Sequence, residues 1–141
     1  MSIEIYVLSD KQLSSIAEWQ QAIDQQGTNL RLDTSRPFEA LSGHLPAHRG
    51  DQHAGFECDH WPPSDIIESY PDIDFGHPWT KALAFRFGGD EFALWGAFAA
   101  AAAYARETSG VVFDPQEGEV FSPDKAAAMA RDFEQSLPKA S

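Results

Sequence analysis

The stretch "KALAFRFGGDEFALWGAFAAAAAYARETSG", Lys81 to Gly110, decides how the rest of the chain is read. Its first seven residues alternate. Leu83, Phe85 and Phe87 fall on one side of a strand, and Ala82, Ala84 and Arg86 on the other. Gly88-Gly89 then predicts a tight strand-to-helix connection, with positive φ available to glycine at little steric cost. Asp90 is placed as the N-cap of a helix, with Glu91 favourable at its positive end and Gly110 as the stop. Between them the run is apolar nearly all round, so this helix is buried on several sides. Its five consecutive alanines allow close approach to a sheet or to a second helix.

From Gly110 onward, "GVVFDPQEGEVF" reads as two short strands around a Pro/Gly turn. "SPDKAAAMARDFEQSL" follows as a helix with Ser122 at N-cap, Pro123 at N1, and Ala126, Met129, Ala130 and Phe133 in one stripe. Toward the N-terminus, "IEIYVL" (Ile3 to Leu8) is a strand. Ser9 and Gln12 have the spacing of a capping box. Leu13, Ile16, Ala17, Gln20 and Ile23 then share a helical face, Gly27 ends the helix, and "NLRLD" is a second strand. The expected fold is a single α+β domain over 1–141. Two β-α-β units surround one mainly antiparallel sheet, ferredoxin-like or related, with a C-terminal helix.

Between the two units, 34–80 is an irregular, insertion-like segment with six of the nine prolines and all five histidines. Within it "GFECDHW" predicts a strand with Phe56, Cys58 and His60 on one face and Glu57, Asp59 and Trp61 on the other. "PSDIIESY" predicts a helical turn capped by Ser64. Loops of this length are often functional.

Ten basic against 22 acidic residues give a net charge of −12, which repels phosphate backbones and anionic lipid. Nucleic acid and membrane surfaces are therefore not the expected partners, and a basic protein is. The single cysteine, Cys58, excludes an intrachain disulfide and a multi-cysteine zinc site. No basic, then apolar, N-terminal pattern is present, and the expected location is cytoplasmic.

Three constellations carry candidate chemistry. His44, His48, His53 and His60 could supply metal ligands, although Pro46 argues against a helix presenting His44 and His48 at i, i+4. Cys58 and His60 share a strand face, as a thiol and its base would, but Glu57 and Asp59 would oppose a thiolate. The third is Gly50 to Thr80, with seven carboxylates, no Lys or Arg, and interleaved aromatic residues. Aromatic anchors among steering charges suit a protein interface, and Asp59, Trp61, Asp65, Glu68 and Tyr70 are its candidate residues.

"FGGDEF" (Phe87 to Phe92) resembles the signature of diguanylate cyclases, and "DIDFGH" (Asp72 to His77) resembles a second scrap of those enzymes. That resemblance implies a guanine-nucleotide site on a hairpin. The sequence departs from it: His77 precedes Gly88 by too few residues for the family's helix, and helix-forming rather than β-branched residues follow Phe92. The longer block from Phe85 to Val120 is similar to small bacterial proteins of the toxin-immunity type, which implies binding and neutralisation of a toxin domain; no cofactor and no bound metal are expected. Three readings stand at this point. One is a non-enzymatic acidic binding module, another a small metal- or thiol-dependent enzyme, and the last a nucleotide- or c-di-GMP-binding protein.

Overall fold

A computed structural model describes residues 2–137. In chain order its strands are β1 (Ile3–Ser9), β2 (Arg31–Leu32), β3 (His44–Leu45), β4 (Ala47–Arg49), β5 (Gln52–His53), β6 (Phe56–Trp61), β7 (Lys81–Phe87), β8 (Val111–Asp114) and β9 (Glu119–Phe121). The helices are α1 (Ile16–Gln25), α2 (Pro63–Ser69), α3 (Glu91–Thr108) and α4 (Pro123–Gln135), with a 3-10 turn at Phe38–Ala40. No helix among the described residues is long and apolar enough to cross a membrane.

The protein is an α+β domain on a six-stranded sheet in the order β3-β6-β7-β1-β8-β9, with every neighbouring pair antiparallel. β7 and β8 flank β1, so β7-α3-β8 is a split β-α-β unit with β1 between its strands. The expected first unit departs from this. β2 leaves the main sheet and joins β4 and β5 in a separate three-stranded sheet. Its strand partner is β4, with Arg31 opposite His48, and Gln20 of α1 fastens it to the helix by donating to Leu30 O and accepting from Leu32 N.

Alternation along the strands gives the sheet two apolar faces. Ile5, Val7, Cys58, Leu83, Phe85 and Val112 pack under α1, α3 and α4. Tyr6, Leu8, Ala82, Ala84 and Phe113 pack under α2 and the segment that follows it. Helix α3 is the centre of the first layer, with Ala99 to Ala105 essentially inaccessible between α1, α4 and the sheet. Gly96 lets it pass over residue 54. A Cβ there would lie 2.4 Å from Ala54 O.

Several end signals fall where the sequence places them. Asp90 accepts from Phe92 N, Ser122 accepts from Lys125 N, and Gly27 (φ 81°) closes α1 with Thr28 N donating to Ile23 O and Gly27 N to Asp24 O. Others move. Ser9 remains in β1 opposite Lys81, and the cap of α1 is Ser15, which accepts from Glu18 N while Glu18 accepts from Ser14 N. In the stripe of α1, Trp19 is buried and Ala17 exposed. Ser64 does not cap α2, whose N-cap is Pro62. At the end of α3 the left-handed residue is Ser109 (φ 57°), not Gly110. Gly110 is needed for space, since a Cβ there would lie 2.2 Å from Leu8 O. Neither Gly88 nor Gly89 has positive φ, and a Cβ on either would meet nothing within 4 Å.

Candidate functional site

The second sheet face is closed by residues 61–79, and the aromatic side chains of the acidic segment do the closing. The Trp61 ring lies 5.7 Å from Tyr6, while Tyr70 and Phe75 meet Phe113 edge-on at 5.0 and 4.9 Å. Trp79 donates from Nε1 to Phe75 O at 2.8 Å and packs against His77. The segment is fastened at its end by Asp10, which accepts from Thr80 N, Thr80 Oγ1 and His77 Nε2. Desolvation is the largest single influence and would raise the Asp10 carboxyl, but the hydrogen bonds from Thr80 and His77 together outweigh it and hold the group below its ordinary range. Ile66 anchors α2 on the same cluster, which leaves Asp65 and Glu68 exposed.

The five sequence-predicted residues therefore divide. Trp61 and Tyr70 are half-buried with part of each ring inward, and Asp65 and Glu68 face solvent. Asp59 is half-buried and serves the fold, because its Oδ1 accepts from Ser42 Oγ at 2.8 Å and from Gly43 N at 3.0 Å, fixing the turn into β3. Beside it on the sheet, Arg86 donates twice to Glu4 Oε1, and Glu4 also accepts from the Tyr6 hydroxyl. Burial and that hydrogen bond push the Tyr6 phenol far up.

Of the histidine and cysteine groups, Cys58 and His60 share a face while the other histidines lie apart. Cys58 is fully buried, and desolvation, with Asp59 adding to it, raises its thiol well above the usual value. His60 does lie on the same face, but its Nε2 is 2.8 Å from Phe38 O and its ring stacks edge-on against Phe38. His48 and His53 face each other across β4 and β5 with ring centres 4.8 Å apart, whereas His44 sits on β3 of the other sheet, opposite Glu57. Among the described residues, no three His, Cys, Asp or Glu side chains converge as metal ligands.

Gly88, Gly89 and Asp90 lie where β7 passes into α3, not on a hairpin between two strands. Neither a family model, a curated protein nor a solved structure matches this chain. Sequence reasoning also missed a cavity on the helical side, formed by α3, α4 and the β8–β9 hairpin. Its residues come from five elements and their connections, so no local pattern announces it; the only signal is that Met129 and Phe133 make the stripe of α4 bulkier than its alanines need.

Proposed function

We propose that the protein is a non-enzymatic, acidic protein-binding module of the toxin-immunity type, which takes a basic protein domain on the face built by α2 and residues 70–80. One observation carries this reading. Six ion pairs occur among the described residues, and none uses Asp51, Glu57, Asp59, Asp65, Glu68, Asp72 or Asp74. Arg86, held by Glu4, lies opposite Glu57 and near Asp59, but among the described residues Asp65, Glu68, Asp72 and Asp74 pair with no cation, so the field of the α2 platform is left uncompensated. Such a field raises the encounter rate with a positively charged partner, and half-exposed Trp61, Tyr70 and Trp79 offer apolar contact once it arrives.

The test is affinity purification with the chain as bait, followed by titration of the purified partner at several salt concentrations. A D65K/E68K/D72K variant is titrated alongside. Asp59 is left intact because its hydrogen bonds hold the β3 turn. The expected partner is a basic protein whose affinity falls with ionic strength and drops at least about tenfold for the variant. A partner bound equally by the variant, or one without a basic face, would sink the reading.

A further inference from the structure

The helical side of the domain is not closed everywhere. At the end of the sheet nearest the β8–β9 turn, a cavity of about 440 Å³ lies between α3, α4 and the hairpin. That is within the range of small-molecule sites, roughly 300–1,000 Å³. Its floor is apolar: Ile3, Leu94, Phe98, Phe121, Met129 and Phe133. Ile3, Leu94, Met129 and Phe133 pack against the main core yet stay partly exposed, so the core itself is open here. The polar wall is acidic, with exposed Glu117 and Glu119 and buried Asp114 against a single cation among the described residues, Lys125.

Lys125 illustrates in miniature what this rim recognises. Its ammonium sits 4.9 Å from the Phe121 ring centre and 3.2 Å from Glu119 Oε2, one cation placed over an aromatic face and beside a carboxylate. That pairing consumes the only positive charge of the lining among the described residues. Asp114 and Glu117 take part in no ion pair among the described residues. Asp114 is 7% exposed and its Oδ1 accepts from Gln116 N at 3.0 Å; burial still raises its carboxyl despite that bond, so the charged form gains from a cation brought beside it.

We infer that this cavity is a binding site for a small amphipathic cation, an ammonium or guanidinium group on an apolar stem. The stem lies on Met129, Phe98 and Phe133, and the cation sits beside exposed Glu117, over the buried carboxylate of Asp114. An anion of the same shape meets three carboxylates and a lysine already engaged, and is rejected. The site lies under α3 and α4, whereas the acidic α2 platform covers the other face of the sheet; it does not depend on the proposed toxin-binding role.

The protein supplies its own reporter, because it has only two methionines and one of them, Met129, lines the cavity. With methyl-13C methionine labelling, the full chain is titrated with 4-phenylbutylamine, 4-phenylbutanol and 4-phenylbutanoate, which share a stem and differ in head group. The expected result is a saturable shift of the Met129 methyl with the amine, at least about tenfold weaker binding of the alcohol, and none of the carboxylate. Glu117→Gln, at an exposed position, is expected to weaken the amine severalfold and leave the alcohol unchanged. Equal response to all three heads, no saturable shift with the amine, or an unchanged amine affinity in the Glu117 variant would each overturn the assignment.

Discussion

The indole Nε1 of Trp19 donates to the main-chain carbonyl of Ala100 at 2.9 Å, pinning α1 to the middle of α3. The ring is fully buried and meets Phe38, Phe56, Phe85 and Tyr104 at centre distances of 5.9, 6.5, 5.9 and 5.4 Å. One side chain thus links two helices, the 3-10 turn, and strands β6 and β7. Trp19→Phe keeps an aromatic ring but removes the donor and leaves a void. The loss of stability is expected to be about 2–4 kcal/mol, measured by chemical denaturation. A loss below about 0.5 kcal/mol would mean that α1 is held mainly by its other contacts.

Glycine substitutions separate what the fold needs from what it merely contains. Gly96→Ala would bring a Cβ to 2.4 Å from Ala54 O, backbone that cannot swing away, and is expected to destabilise by about 1–3 kcal/mol. Gly88→Ala and Gly89→Ala meet open space at ordinary φ, and should be neutral or stabilising by about 0.4–1 kcal/mol through the unfolded chain. Thermal melts of the three variants check the contrast. Losses at Gly88 or Gly89 comparable to that at Gly96 would contradict the open geometry of that junction.

The parts of the fold legible in the sequence are those with a local cause. Asp90 and Ser122 cap helices through their own next turn, and the alternation in Lys81–Phe87 sets which side chains meet α3. Ser9-x-x-Gln12 and Ser15-x-x-Glu18 present the same signal six residues apart, and only the pairing of Ser9 with Lys81 chooses between them. The destination of β2 was illegible because two residues carry no register; its pairing with β4, from a distant part of the chain, gives it one, and Gln20 fastens it to α1. In the candidate site, charge was legible and orientation was not. Tyr6, Leu8, Ala82 and Ala84 make the second sheet face apolar, and that face draws Trp61, Tyr70 and Phe75 inward.

Cys58 gives a direct reading of thiol chemistry. Desolvation, followed by the charge of Asp59, disfavours the thiolate, and the side chain has no exposed surface. The native protein at mildly alkaline pH should therefore react with a disulfide reagent only on the timescale of unfolding, and the rate should climb with denaturant. Stoichiometric labelling of the native protein as fast as that of the denatured chain would restore Cys58 and His60 as a working pair.

Asp114 makes the stability of the hairpin depend on pH in a direction opposite to most carboxylates. Burial raises its carboxyl above the ordinary value; main-chain N–H donation from Gln116 and Glu117 offsets part of this, and Glu117 and Glu119 add repulsion. A carboxyl whose folded pKa exceeds its unfolded one contributes stability that is complete below the unfolded value and lost as pH rises through the folded one. Asp114→Asn keeps an acceptor for Gln116 N, which Asp114 Oδ1 now bonds at 3.0 Å, and removes the charge. The variant should melt about 2–4 °C above the parent at neutral pH. The difference should vanish below about pH 4, where the parent carboxyl is protonated in both states. Paired thermal melts across that range decide it. A variant that melts below the parent at neutral pH would mean that the ionised Asp114 strengthens its turn by more than its desolvation weakens it.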